Sequence, residues 1–335
     1  MDPIAALLPS PAPFTLDPLA GDAGNRRYFR VRQGNSYILM QLADPEGFKQ
    51  SEEAVTGEVA IDELPFLNLQ RYLAAAGIPV PELIATDMAA GLVLLEDLGD
   101  LSLMQSIDGA PREEIAAHYR AAIDILLRLQ RGTPLDNGCV AAHRDYTEAL
   151  LLWEFDHYVE YGIEALRGAS LPAATRNELG ARFAALARRI ARQPPVLVHR
   201  DYHSRNIMVR PDGSLSLIDF QDALMGPPTY DLASLLWDPY VTLPEGLAGE
   251  LTSYFLSQDP EAKRDGFEPL LALTALQRLF KAAGRFVYID RVKGNPGFLA
   301  DIPACLARSA TILAEVPELA DLRDILVELE PRLAG

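Results

Sequence analysis

The chain has only two cysteines, Cys139 and Cys305, in 335 residues. Neither lies in a metal-ligand or redox spacing, so they read as buried bystanders in a protein of a reducing compartment. Positive charge is scarce as well: 30 Lys and Arg stand against 47 Asp and Glu, a formal net charge of −17. Such a surface repels nucleic-acid phosphates and anionic membranes, and no dense Lys/Arg run reverses it locally. Neither nucleic acid nor a membrane is therefore expected as a partner. No apolar run approaches membrane-spanning length, and the opening Met1-Asp2-Pro3-Ile4-Ala5-Ala6-Leu7-Leu8-Pro9 lacks the basic start and long apolar stretch of a signal peptide. A cytoplasmic protein is the expectation. Internal repeats and low-complexity segments are also missing. With 49% hydrophobic residues the chain can bury a large core, most naturally in two lobes.

What is present concentrates in one stretch. Leu197-Val198-His199-Arg200-Asp201-Tyr202-His203-Ser204-Arg205-Asn206, followed by Leu217-Ile218-Asp219-Phe220, sets out in order the groups a phosphoryl-transfer site needs. An Asp beside an attacking hydroxyl accepts its proton, an Asn five residues later holds a metal ion, and an Asp eighteen residues after the first bridges metal to nucleotide phosphates. Turn-forming Asp residues and an Asn cap would explain each residue alone, but not the whole set in this order. Val196-Leu197-Val198 reads as a short buried strand. Ile207-Met208-Val209 and Leu215-Ser216-Leu217-Ile218 read as a hairpin closed by Pro211-Asp212-Gly213. Asp201 then lies on a loop and Asp219 at a strand end, so both carboxylates can face one cleft. Two carboxylates and an amide are hard-oxygen ligands suited to Mg²⁺.

Elsewhere the N-terminal third is strand-rich and the remainder helix-rich. Arg26 to Arg32 and Tyr37 to Leu42 read as strands joined by the Gln33-Gly34-Asn35 turn. Ser51 to Ala76 is helical in composition with Pro65 as an interruption, and Leu83 to Thr86 and Leu92 to Leu95 suit the last strands of a small antiparallel sheet. Glu96-Asp97-Leu98-Gly99 marks the lobe boundary, giving lobes at 1–97 and 98–335. Pro111 to Arg131, Tyr146 to Tyr161, Pro172 to Arg192 and Phe267 to Arg291 carry apolar residues at helical spacing.

His199-Arg200-Asp201 with Asn206, and Ile218-Asp219-Phe220, resemble the Brenner motif and metal-binding Asp of the aminoglycoside phosphotransferase and choline kinase superfamily. Gly21-Asp22-Ala23-Gly24-Asn25-Arg26-Arg27-Tyr28-Phe29-Arg30, Leu94-Leu95-Glu96-Asp97-Leu98-Gly99 and Gly226-Pro227-Pro228-Thr229-Tyr230-Asp231-Leu232-Ala233-Ser234-Leu235-Leu236 follow in the superfamily's order. The resemblance implies an α+β, two-lobed, protein-kinase-like fold, with a small antiparallel-sheet N-lobe and a mainly helical C-lobe. In wording, Asp201 to Asn206, Asp219-Phe220-Gln221-Asp222-Ala223, Thr229-Tyr230-Asp231-Leu232 and the late Gln277-Arg278 to Asp301-Ile302-Pro303 segment are similar to bacterial N-acetylmuramate/N-acetylglucosamine anomeric kinases of cell-wall recycling.

From this follow the expected roles. Asp201 is the base, Asn206 and Asp219 hold Mg²⁺, and ATP or GTP is the co-substrate. Gly21 and Gly24 let backbone amides approach the phosphates, with Asn25 and Arg27 beside them, while backbone groups of Glu96 and Leu98 meet the purine. His199 is read as a loop-fixing histidine. Asp231, at a helix start where a carboxylate satisfies free amides, is read as supporting the catalytic loop from behind. One departure stands out: the second strand, Ser36-Tyr37-Ile38-Leu39-Met40-Gln41, has Met40 or Gln41 where the superfamily places a cation. Arginines of the first strand are expected to supply the charge, and Glu58 and Glu63 read as solvated helix face.

The acceptor is less legible. Gln277, Arg278, Lys281 and Arg285 recur at helical spacing, a stripe able to meet an anionic group such as the lactyl carboxylate of N-acetylmuramate, or merely to solvate a helix. His203, Arg205 and Trp237, the last with Asp238 and Tyr240, are further candidates for contact with a sugar. The reading is a kinase of a sugar hydroxyl, the anomeric one of N-acetylmuramate or N-acetylglucosamine. An aminoglycoside, choline or other small-alcohol kinase is the alternative within enzymes, and a catalytically inactive nucleotide-binding regulator the alternative outside them. The oligomeric state is not legible.

Overall fold

The computed structural model describes residues 3–19, 26–42, 63–132, 135–259 and 266–334. After the short helix α1 (Pro3–Leu7), strands β1 (Thr15–Pro18), β2 (Arg26–Gln33) and β3 (Asn35–Leu42) lead to helix α2 (Pro65–Ala75), then β4 (Leu83–Asp87) and β5 (Leu92–Glu96). The five strands form an antiparallel sheet in the order β1-β2-β3-β5-β4. The expected turn closes at Gly34, whose φ of 75° is a conformation that side chains with a Cβ rarely adopt. Pro65 does not interrupt a described helix; it opens α2, where its missing N–H costs nothing. Residues 51–62 of the expected helix, Glu58 among them, lie outside the described residues. Glu63 is paired with Arg71 at 2.9 Å and accepts from Asn68 at 2.8 Å.

Alternation along β2 and β3 explains the absent lysine. Leu39 and Val31 point to one side of the sheet, where they pack with Leu7, Leu8, Leu92 and Leu94. Met40 points to the other, fully buried against the main core with Val93 and Leu95, and Tyr28 packs there too. A lysine at Met40 would lose its hydration among Val93, Leu95 and Tyr28. Met40→Lys is expected to lower stability by about 3–5 kcal/mol in urea unfolding; an unchanged midpoint with faster turnover would instead mean that this position opens onto the nucleotide.

The rest is mainly helical: α3 (Leu103–Ser106), α4 (Arg112–Gly132), α5 (Glu148–His157), α6 (Ala173–Ala191), α7 (Thr229–Leu236), α8 (Leu247–Gln258), α9 (Phe267–Lys293), α10 (Ile302–Glu315) and α11 (Ala320–Leu329). Four short strands lie between α6 and α7: β6 (Val196–Val198), β7 (Ile207–Val209), β8 (Leu215–Leu217) and β9 (Leu224–Gly226), with β6 paired to β9 and β7 to β8. The expected helix over 146–161 starts later, capped by the Thr147 hydroxyl, and widens into a π-helix at Tyr158–Ala165. Tyr146, left outside it, turns into the core.

Helix α9 runs through the C-lobe and crosses this π-helix at Gly284, where a Cβ would stand 2.8 Å from the Tyr158 Cα. Only glycine allows that approach. Contrary to the reading of the sequence, one stretch, Pro296–Glu315, does reach spanning length with a mean hydropathy of 1.3. Here it is a 3₁₀ turn followed by α10, which packs along α9 and buries Ile302, Cys305, Leu306, Ile312 and Leu313.

Candidate active site

The motif loop, residues 199–206, leaves β6 and is fastened from below by two carboxylates. Asp231, fully buried in the first turn of α7, accepts the backbone N–H of His199 at 2.7 Å and of Arg200 at 3.0 Å. Asp238, just beyond the end of α7, accepts the N–H of Ser204 at 2.8 Å. The amides that Asp231 satisfies belong to the loop and not, as a helix-start position suggests, to its own helix. Burial pushes the Asp231 carboxyl up to about 7 despite those two bonds. Asp238, read from the sequence as a sugar contact, is 1% exposed and serves the loop instead. Between these anchors Arg200 takes a φ of 81°, and Asp219 one of 65°. Left-handed backbone at residues with a Cβ costs about 1 kcal/mol or more, and here surrounding bonds hold it in place.

His199 is buried, and its Nε2 donates to the Ile218 carbonyl at 3.0 Å, tying the loop to the strand that carries Asp219. Burial pushes its pKa down to about 4, so it is neutral at pH 7. Phe220 stacks on Phe66 of α2 at 4.9 Å, which anchors the residue beside Asp219 in the core.

The three motif residues do come together. Asn206 Nδ2 donates to the Asp201 carbonyl at 3.0 Å and lies 3.5 Å from Asp219 Oδ2, while Gln221 donates to Asp219 Oδ1 at 2.8 Å. With its nitrogen engaged, the Asn206 amide has its oxygen for a cation, and the Asp219 carboxylate is the second hard-oxygen donor, so the pair fits Mg²⁺. No cluster of three or more His, Cys, Asp or Glu suited to a metal occurs among the described residues, so such an ion would take its other ligands from phosphates and water. The Asp201 side chain keeps 35% exposure. Burial would raise its carboxyl, but the positive charges of Lys281 and Arg278, with Arg200 behind them, outweigh it and hold Asp201 well below the usual carboxylate range.

Lys281 and Arg278 come from α9, and the expected stripe divides. Arg278 Nη1 stands 3.6 Å from Asp201 Oδ1 and donates to the Tyr230 hydroxyl at 2.8 Å. Lys281 lies 3.0 Å from Glu154, a fully buried carboxylate on α5 that also accepts from Gln277 at 2.6 Å and from Tyr146, with Arg200 at 3.4 Å. Arg285 stays apart, its guanidinium 4.9 Å over the Tyr288 ring. Gln277, Arg278 and Lys281 are thus not a solvated face. Glu154, Tyr146 and Tyr230 went unassigned in the sequence. Glu154 sits among Leu150, Leu151, Leu152 and Phe155, and nothing local distinguishes it from a surface glutamate.

The remaining candidates spread more widely. His203 meets the edge of Tyr240, with ring centroids 5.4 Å apart, and Arg205 stacks on the other aromatic partners, 3.5 Å over Tyr240 and 5.9 Å from Phe298, 3.7 Å from Asp301. Trp237 caps the C-terminus of α7 and packs against the core. At the end of β5 the Glu96 N–H donates to the Glu82 carbonyl at 2.9 Å and its carboxylate grips Arg210 at 2.6 and 3.0 Å; Leu98 is buried. Arg30, expected as a source of charge for phosphates, is instead clamped by Asp97 at 2.7 Å and Asp100 at 2.7 Å. Arg27 is also misplaced by the sequence reading: it alternates with Phe29 and Val31 toward α1, on the face opposite Met40. Of the three arginines, Arg26 shares the Met40 face outside that clamp. Gly21, Gly24 and Asn25 lie outside the described residues.

Comparison with known proteins agrees with this geometry. A family model described as phosphotransferase enzyme family matches residues 15–267. The N-acetylmuramate/N-acetylglucosamine kinase of Pseudomonas putida is 32% identical over 323 residues, spanning 94% of this chain and 88% of that protein. The protein of the same name from Caulobacter vibrioides is 32% identical over 340 residues, with 94% and 92% covered. Among solved structures, choline kinase LicA from Streptococcus pneumoniae superposes with a TM-score of 0.62 at 16% identity, covering 92% of this chain and 96% of that one. An aminoglycoside phosphotransferase in a ternary complex with ADP and hygromycin B gives 0.54 at 16% identity, covering 90% and 93%. These likenesses establish the two-lobed, protein-kinase-like fold. With the family model spanning most of the chain and two curated relatives matching nearly all of it, the chain belongs to the phosphotransferase enzyme family.

Proposed function

We propose that this enzyme transfers the γ-phosphoryl group of ATP or GTP to a sugar hydroxyl, the anomeric one of N-acetylmuramate or N-acetylglucosamine. The observation that carries the reading is the convergence of Asp201, Asn206 and Asp219 on one loop-and-strand unit, in a chain similar over 94% of its length to kinases of those sugars. Asp201 takes the acceptor hydroxyl's proton as its oxygen attacks the γ-phosphorus, and the bond to the bridging oxygen breaks to leave a nucleoside diphosphate. Asn206 and Asp219 would hold Mg²⁺, which when bound offsets the charge on the phosphate oxygens. Backbone groups of the Glu96–Leu98 segment meet the purine, and Arg26 is the arginine of β2 placed to face the phosphates. The chain's acidic balance and its few cysteines suit a small-molecule enzyme of the cytoplasm with no nucleic-acid partner.

A single panel tests this: nucleoside-diphosphate release from ATP and GTP with N-acetylmuramate, N-acetylglucosamine, kanamycin and choline. Turnover with the two amino sugars is the expected result. Turnover with kanamycin or choline alone would move the acceptor to another class, and nucleotide binding without any turnover would favour a regulator.

A further inference from the structure

Arg278 has the surroundings of a strut and not of a ligand receptor. Its side chain is 12% exposed, and its guanidinium lies 4.8 Å over the Tyr230 ring while donating to that ring's hydroxyl. Each tyrosine hydroxyl carries one proton, and the Glu154 carboxylate only accepts. The proton of Tyr146 goes to Glu154, so Tyr230 supplies the one between the two hydroxyls, 2.6 Å apart. Donation therefore runs one way, from Arg278 through Tyr230 and Tyr146 to Glu154, and chains of this kind polarise one another. Lys281 and Gln277, on the same face of α9, close the far end on Glu154. The arginine is held by this buried network, and its Nη1 stands 3.6 Å from Asp201 Oδ1. A sugar carboxylate at Nη1 would compete with Tyr230 and Asp201 for it.

We propose that Arg278 is a positioning residue, which fixes the Asp201 carboxylate for the acceptor hydroxyl and acts through Asp201 and not on the sugar. The proposal rests on the reading of Asp201 as proton acceptor. It assigns the α9 cations away from the lactyl group of N-acetylmuramate and makes the Glu154–Tyr146–Tyr230 network part of the catalytic frame.

The test compares the parent, Asp201→Asn, Arg278→Gln and their double variant, with both amino sugars as acceptors. Arg278→Gln should lower kcat about 10- to 100-fold with KM for both sugars nearly unchanged. Arg278→Lys should recover part of the loss, since it restores the charge without the planar fork. In the Asp201→Asn background Arg278→Gln should add less than about a twofold loss, because residues acting as a unit are not additive. Tyr230→Phe keeps the ring and removes the hydroxyl; it should lower kcat severalfold at constant KM, and it decides the matter if Arg278→Gln does not fold. Losses that multiply in the double variant, or a rise in KM confined to N-acetylmuramate, would overturn the proposal. Near-parental turnover of Asp201→Asn alone would remove the proton-acceptor reading itself, a separate result.

Discussion

Asp201→Asn should lower turnover by about 10²- to 10⁴-fold, the usual range for a lost general base, with nucleotide affinity almost unchanged. The asparagine preserves the backbone carbonyl that takes the Asn206 amide at 3.0 Å, so the loop keeps its shape. What it removes is the carboxylate, which the cations Lys281, Arg278 and Arg200 hold ionised at neutral pH. Single-turnover phosphorylation of N-acetylglucosamine, alongside titration with a nucleotide analogue, separates the two quantities. Parental turnover in a folded variant would take Asp201 out of the chemistry, and a matching loss of nucleotide affinity would shift its role toward the metal.

The second large effect is expected at Asp231, through the fold. Asp231→Ala leaves two buried N–H groups, those of His199 and Arg200, without an acceptor, at about 2–5 kcal/mol of stability. Asp231→Asn should cost less, because its amide oxygen still serves one of them. The pH dependence has a definite sign. The folded carboxyl is raised to about 7, so its contribution is complete below the ordinary carboxylate range and is lost as pH rises through about 7. The stability gap between parent and Asp231→Asn should therefore be widest near pH 4 and narrow toward pH 8, measured by urea unfolding at each pH. A gap that widens with pH would mean that the ionised carboxylate, held by its two amides, is the stabilising form.

These sites were unequally legible in the sequence. The 199–206 motif loop, the β7–β8 hairpin and the β2–β3 turn could be read because alternation, turn chemistry and motif spacing are local properties. The support role of Asp231 followed from resemblance, not from local pattern. Helical spacing grouped Gln277, Arg278, Lys281 and Arg285 but could not tell which way the stripe faces, since that depends on α5 and α7 packing against α9. The clamp on Arg30 joins β2 to residues 67 and 70 positions away, a distance no local pattern spans. Glu154 is a polar residue at a core position, explained only once Lys281, Gln277, Tyr146 and Arg200 are in place around it.

Every residue of α7 is buried, and Asp231 near its start and Asp238 just past its end hold both ends of the 199–206 loop. The amides of His199, Arg200 and Ser204 can thus meet solvent only when the helix beneath them leaves the core. Their hydrogen exchange should then track global unfolding, not a local opening. A loop of this kind is a stationary part of the machine, set by the helix beneath it and not by its own sequence.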